Sequence, residues 1–397
     1  APPPSPPKPT PPKAAPPKAA AANGGRALST RAGGGDALCS RGAPSLLGRG
    51  RGGRLASSSA VGVAVAGGAF DGSCLGPLMA AQGVVVLDGG LGSMLPAEEV
   101  VGGMWSAGHL TTDEGRAAIE AAHFAFLQAG ADIVSTNSYK VSAELLVNSG
   151  YLDAHPHAPA DLAGTMLDAS VRLAQRAIAR HAATGARPGA PRPLIAATLG
   201  PFSISRPFQS AIGTAVDRAD KAAAPVHEMA AFHERKARRL LDAGADLLAF
   251  ETIGSLDEAA AIAQVMEELP QAEAWVAFTC RDAEHTGNGD SFGACLRLLE
   301  RLPNVRAVGV NCIAPGMVGQ LLHVARAHSA KPLVVYPNSG ERWDSRQGER
   351  KWVGTKGEHI PSLVRGWREA YDAPLIGGCC RVLPDEIAEI RAQLVPQ

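Results

Sequence analysis

Net charge is the first thing missing from this 397-residue chain: 38 Lys and Arg are balanced by 38 Asp and Glu. A protein that binds nucleic acid or an anionic membrane surface through its fold would carry a basic excess, so neither partner is expected. Long apolar runs are also missing. The longest, Val61 to Phe70, is too short for a membrane-spanning helix and is rich in Ala and Gly. The seven cysteines are an odd number without the spacing of a disulfide framework. Secretion is therefore not expected, and the compartment should be reducing, either cytoplasmic or organellar.

Acids are absent from one region in particular. Residues 1–70 hold nine Lys or Arg against a single acid, Asp36, which leaves the remainder mildly acidic. Ten of the first seventeen residues are Pro, a pattern that favours extended polyproline conformations. An Arg/Ser/Gly/Ala stretch from Arg26 to Ser59 follows. Such composition is that of an organelle transit segment or of a disordered tail. The expected division is a disordered extension over 1–82 and one folded domain over 83–397.

From Gly83 onward the chain alternates. Eight apolar runs read as strands: Val84–Leu87, Asp132–Thr136, Leu194–Thr198, Asp246–Glu251, Trp275–Thr279, Ala307–Asn311, Leu333–Tyr336 and Leu375–Gly378. Several are continuous aliphatic stretches, as strands buried on both faces should be. Segments with helical spacing lie between them, beginning with Asp113–Ala129 and ending with Pro384–Leu394. The phrase Ala-Gly-Ala-Asp occurs at 129–132 and again at 243–246, each time where a helix should end on a left-handed Gly and a strand begin. Eight strand–helix units predict a (β/α)8 TIM barrel. An open, doubly wound sheet is the alternative, but the first strand is followed by Gly89-Gly90-Leu91-Gly92 and not by a dinucleotide fingerprint.

Chemistry in such a barrel belongs at the C-terminal strand ends. Polar phrases fall there: Asp88-Gly89-Gly90, Thr136-Asn137-Ser138-Tyr139, Glu251-Thr252, Asn311-Cys312, Tyr336-Pro337-Asn338-Ser339-Gly340-Glu341 and Gly377-Gly378-Cys379-Cys380. The cysteines allow two readings. Each could be a small buried hydrophobe. Alternatively, Cys312, Cys379 and Cys380 converge on one metal ion, and three protein ligands with an open fourth position mark a catalytic zinc. Adjacent strand residues face opposite ways, so the second reading requires the backbone to leave the strand near Gly377-Gly378.

Taken in order, these phrases resemble the homocysteine S-methyltransferase family over roughly Gly83 to Ala392. The resemblance implies that Cys312, Cys379 and Cys380 bind Zn2+, that homocysteine is the methyl acceptor, and that methionine is the product. It further implies Glu251 as the holder of the substrate ammonium, and Asp88 with the Gly89 and Gly90 amides as the anchor of the amino-acid end. Trp105 and Tyr139 would face a sulfonium donor, which an aromatic ring attracts. Asn311, Asn338 and Ser339 complete the expected substrate set. The donor it suggests is S-methylmethionine, or less so S-adenosylmethionine.

Alternatives sharing the zinc site are betaine-dependent and selenocysteine methyltransferases, the homocysteine module of cobalamin-dependent methionine synthase, and a barrel that holds zinc without binding donor. With aromatics at 5% of the chain, an aromatic cage for betaine is not expected. The chain ends soon after the eighth helix, without the extension through which betaine enzymes oligomerise, so a monomer is expected. Two stretches depart from the family: Ser203 to Ala224, after the third strand, and a His-rich insertion, His155 to Pro159, expected to be solvated.

Overall fold

In the computed structural model, the described residues are 73–96, 104–185, 188–205, 224–344 and 351–395. Ten strands occur among them: Val85–Val86 (β1), Ile133–Ser135 (β2), Leu194–Leu199 (β3), Leu247–Ile253 (β4), Ala274–Phe278 (β5), Val305–Asn311 (β6), Leu333–Tyr336 (β7), Arg342–Asp344 (β8), Lys351–Val353 (β9) and Leu375–Ile376 (β10). Eight form one parallel sheet in the order β1-β10-β7-β6-β5-β4-β3-β2. The two end strands meet through a parallel bridge between Leu87 and Ile133 and an Asp88 N–H to Ile133 O bond of 3.1 Å. That edge closes the sheet into a (β/α)8 barrel and rules out the open doubly wound alternative. The β8–β9 antiparallel hairpin lies outside the barrel sheet and was not anticipated.

Strand periodicity sorts the side chains. Val85, Leu194, Ala196, Leu247, Ala249, Trp275, Ala277, Val334 and Leu375 form an interior cluster. Their neighbours Val86, Leu248, Val276, Val308 and Val335 pack outward against the helices. Both faces are buried, which explains why the strands read as unbroken apolar runs. Hydroxyl and carboxylate caps start several helices: Thr112, Ser142, Asp161, Ser255 and Ser291 each accept a backbone N–H three residues on.

The repeated Ala-Gly-Ala-Asp phrase builds the barrel floor. Gly130 and Gly244 are both left-handed at φ 98°. Asp132 then accepts the Val86 N–H at 2.9 Å, and Asp246 accepts the Ile195 N–H at 2.8 Å. Arg391 and Arg192 pair with these carboxylates from below. The two acids thus lock strand register at the end opposite the predicted site.

The expected domain boundary needs correcting. A helix, α1 (Leu75–Gln82), lies inside the segment read as a disordered extension, while residues 1–72 fall outside the described residues. Leu75 and Leu78 are buried and join the interior cluster from beneath. The first turn of α1 is held by Glu273, which accepts the N–H groups of Cys74 at 2.9 Å and Leu75 at 3.1 Å and pairs with Arg306 at 2.6 Å. The composition-based reading missed this helix because two leucines in an Ala/Gly-rich stretch carry too little periodicity. Removing the plug exposes both leucine pockets, a loss on the order of 3–6 kcal/mol. A chain beginning at Gly83 should therefore melt well below one beginning at Ser73; equal melting temperatures would remove α1 from the core.

Candidate active site

Most of the chemistry-bearing phrases meet in one cavity above the C-terminal strand ends, with a mouth open to solvent. Asp88, Gly89, Gly90, Trp105, Tyr139, Glu251, Cys312, Cys379 and Cys380 all line it.

The three sulfurs converge. Cys312 Sγ and Cys379 Sγ each lie 3.9 Å from Cys380 Sγ, and all three are within 4.8 Å of one another. A tetrahedral ion with sulfur bonds of about 2.3 Å would set its sulfurs about 3.8 Å apart, so two edges already match and the third needs a small contraction. Among the described residues no other His, Cys, Asp or Glu group converges in this way. Cys74, Cys280 and Cys295 lie elsewhere, and Cys39 is outside the described residues. Hydrogen bonds from the Cys312 and Cys379 thiols hold the Cys380 thiol well below its usual range. Three buried thiolates repel one another too strongly to coexist alone, and a bound cation reverses that balance.

Left-handed backbone explains how these sulfurs reach one point. Among the described residues, five non-glycine residues have positive φ, and four are at this site: Trp105 (49°), Thr252 (62°), Cys312 (53°) and Arg381 (67°). Each conformation costs about 1–2 kcal/mol and persists only where neighbours enforce it. Asn311 enforces the one at Thr252, accepting its N–H at 2.7 Å and donating to its hydroxyl at 3.0 Å. Cys312 N–H is held by Tyr336 O at 3.2 Å. Arg381 N–H is held by Ser93 Oγ at 2.9 Å, and its guanidinium pairs with Glu341 at 2.9 and 3.2 Å. Next to that turn, Gly378 is required by close approach: a Cβ there would lie 2.2 Å from Val382.

These contacts correct four expected roles. Asn311, Asn338 and Ser339 do not line the cavity. Asn311 clasps Thr252, Asn338 accepts the Gly340 N–H at 2.9 Å, and Ser339 donates to Glu341 at 2.9 Å while its N–H holds Cys380 O at 3.0 Å. The Tyr-Pro-Asn-Ser-Gly-Glu phrase thus braces the cysteine turn. Gly90 lines the cavity, but its amide already donates to Val382 O at 2.9 Å and is not available as an anchor.

Two carboxylates face the cavity. Asp88 accepts the Ser135 N–H at 2.7 Å and its hydroxyl at 2.8 Å. Burial pushes its carboxyl up to about 7 against those bonds. Glu251 is raised well above the carboxylate range by burial and then by the charge of Cys379. Tyr336 contacts it at 3.2 Å, and Trp275 Nε1 lies 3.1 Å from the Tyr336 oxygen. An indole N–H can only donate, so the Tyr336 hydrogen is directed at Glu251.

Sequence reasoning passed over Ser135, Thr198 and Trp275 as lining residues, and named Thr252 and Tyr336 only as parts of strand-end phrases. Their signal was the inward parity of each strand, which the apolar runs conceal. Four aromatics, Trp105, Tyr139, Trp275 and Tyr336, stand in the wall, where Trp105 and Tyr139 were the two expected. His155 and His157 are exposed, as expected of the insertion, and most of the divergent stretch Ser203 to Ala224 is outside the described residues. No described helix is long and apolar enough to cross a membrane.

The profile of the homocysteine S-methyltransferase family matches residues 85–394. Homocysteine S-methyltransferase 4 of Zea mays is 34% identical over 340 residues, covering 82% of this chain and 94% of that protein. Homocysteine S-methyltransferase of Escherichia coli is 33% identical over 321 residues, covering 80% and 97%. The crystal structure of the metallated form of the Escherichia coli homocysteine methyltransferase MmuM superposes with a TM-score of 0.66 at 31% identity, covering 80% of this chain and 99% of that one. The chain belongs to the homocysteine S-methyltransferase family.

Proposed function

We propose that this protein transfers a methyl group from a sulfonium donor to the thiol of L-homocysteine, giving methionine, with Zn2+ held by Cys312, Cys379 and Cys380. The observation that carries the proposal is the meeting of three sulfurs with a carboxylate, Glu251, in one cavity at the catalytic end of the barrel. Thiolate ligands suit zinc, which has no redox chemistry of its own to compete with methyl transfer. When bound, zinc supplies positive charge that favours the thiolate form of the substrate sulfur at neutral pH.

The chain's own residues then position the two substrates. Glu251 takes the ammonium of homocysteine, and Tyr336 turns the carboxylate toward it. Asp88, fixed by Ser135, bounds the same amino-acid end. Trp105 and Tyr139 stand edge to face, 6.4 Å between centroids, and offer π-density to an onium methyl donor. The sulfur attacks the methyl carbon, the carbon–sulfonium bond breaks, and its electron pair leaves on a neutral thioether. For S-methylmethionine both products are methionine.

S-Methylmethionine is the proposed donor, ahead of S-adenosylmethionine, with betaine inactive. The aromatic wall would accept any onium cation, so discrimination rests on the donor's other end. Asn137, Thr198 and Thr252 line the cavity and suit an amino-acid group, whereas no adenine-binding feature is recognisable among the described residues that line it.

Three outcomes test this reading. The purified protein should carry one zinc per chain by elemental analysis, and Cys312→Ala should lose it; full zinc in that variant would sink the ligand assignment. Glu251→Gln should raise the homocysteine KM about tenfold or more with zinc content unchanged, because a charged hydrogen bond is lost. Tyr336→Phe should move the same constant in the same direction by less, and unaltered homocysteine kinetics in both would return Glu251 to a structural role. In competition at equal concentration, S-methylmethionine should outpace S-adenosylmethionine and betaine; faster methionine formation from either of the others reassigns the donor.

A further inference from the structure

The helix Val226–Asp242 brings two polar side chains into the interior near its middle. His233 is fully buried and Lys236 is 4% exposed. Three residues apart, they share one helix face. His233 Nε2 lies 2.9 Å from Glu258 Oε1, and the same oxygen accepts the N–H of Phe202, which opens the turn after β3. Lys236 reaches the neighbouring loop, donating from Nζ to Tyr139 O at 3.1 Å. One face of one helix therefore holds both loops that follow β2 and β3.

Lys236 is the unexplained member of this pair. Among the described residues its only hydrogen-bond acceptor is that carbonyl, and its nitrogen sits 5.2 Å from the Phe232 ring centroid. Burying an amine for one hydrogen bond is costly, and an apolar side chain would fill the same space without that cost. Burial pushes its ammonium down to about 7, opposed by the charges of Glu144 and Glu251. Ammonium and amine both carry N–H, so the bond to Tyr139 survives in either state. What the bond holds is specific. Apart from Lys236, the described residues give Tyr139 O only a long bond from Gly200 N at 3.4 Å. The Tyr139 ring packs so closely over Gly200 that a Cβ there would come within 2.7 Å of it. Its other side meets Trp105 at an interplanar angle of 81°.

We propose that Lys236 is a positioning residue for methyl transfer: through its hydrogen bond to the Tyr139 carbonyl it fixes the Tyr139–Trp105 wall that receives the donor. This rests on the reading that Tyr139 faces the donor. It assigns Lys236 to donor binding, because its hydrogen bond goes to Tyr139, whereas it reaches the homocysteine end only through its charge on Glu251 and has no described contact with the cysteines or Asp88.

Steady-state kinetics of the full chain with homocysteine and S-methylmethionine test it. Lys236→Met should raise the donor KM about tenfold, leave the homocysteine KM within about twofold, and keep zinc content unchanged. Lys236→Arg, which retains charge and donor, should restore the donor KM. Combined with Tyr139→Ala, Lys236→Met should add little to the effect of Tyr139→Ala alone, since both act on one wall. A Lys236→Met protein with a lowered melting temperature but no donor-selective change overturns the proposal, as do fully additive effects. If Lys236→Met does not fold, Lys236→Gln gives the same comparison, a donor-selective rise supporting the proposal and an equal rise for both substrates refuting it. If Tyr139→Ala itself leaves the donor KM unchanged, the fault lies in the reading of Tyr139, and the inference falls with it.

Discussion

Three sulfurs on two strands have to meet at one point, and much of the local structure follows from that demand. β6 and β10 are parallel and separated by β7, so a straight continuation of either would carry its cysteines up and apart. The chain departs from the sheet instead, through left-handed conformations at Cys312 and Arg381. Neither residue is glycine, and each is held there by hydrogen bonds from elements distant in sequence: Tyr336 for the first, Ser93 and Glu341 for the second. Backbone strain at the site is thus balanced by contacts whose only evident purpose is to enforce it. Substituting a brace should change the spacing of the three sulfurs even though no brace touches a sulfur atom.

The polar groups of the cavity follow the same logic in a low-dielectric setting. A carboxylate at the mouth of a barrel is costly unless hydrogen bonds fix it. Ser135 supplies two to Asp88, and a chain from Trp275 through Tyr336 supplies one to Glu251. Both acids are left raised by burial, so each gains from a cationic partner. An amino-acid substrate brings one in its ammonium group. The cavity is in this sense incomplete in charge until a cationic group enters it.

Opposite ends of the barrel use similar residues for different ends. Asp132 and Asp246 at the floor accept strand amides and pair with arginines, which locks register. Asp88, at the top of β1, accepts a strand amide as well but keeps one edge on the cavity. Position along the strand, not residue type, separates stability from function in this fold. The helix α1 belongs to the floor by the same criterion, closing the interior with two leucines.

By itself the sequence determined the barrel, because alternating apolar runs and helical spacing are local patterns that repeat eight times. It also singled out Cys312 and the Cys379-Cys380 pair, which follow predicted strands within the phrases that carry the family resemblance, and the structure brings those three sulfurs together. The last helix, Pro384–Leu394, was legible to the residue, and the left-handed caps at Gly130 and Gly244 were legible from one repeated phrase. Only the tertiary structure decided which polar residues of those phrases face the cavity. Asn311, Asn338 and Ser339 stand beside the ligands in sequence yet turn their hydrogen bonds to Thr252, Gly340 and Glu341. Trp275, hidden in an apolar run, and Tyr336, at the start of a polar strand-end phrase, point inward and orient Glu251. The reason is physical: strand parity and a few left-handed residues set side-chain direction, and those depend on partners tens to hundreds of residues away, whereas helix and strand periodicity is written within a dozen neighbours.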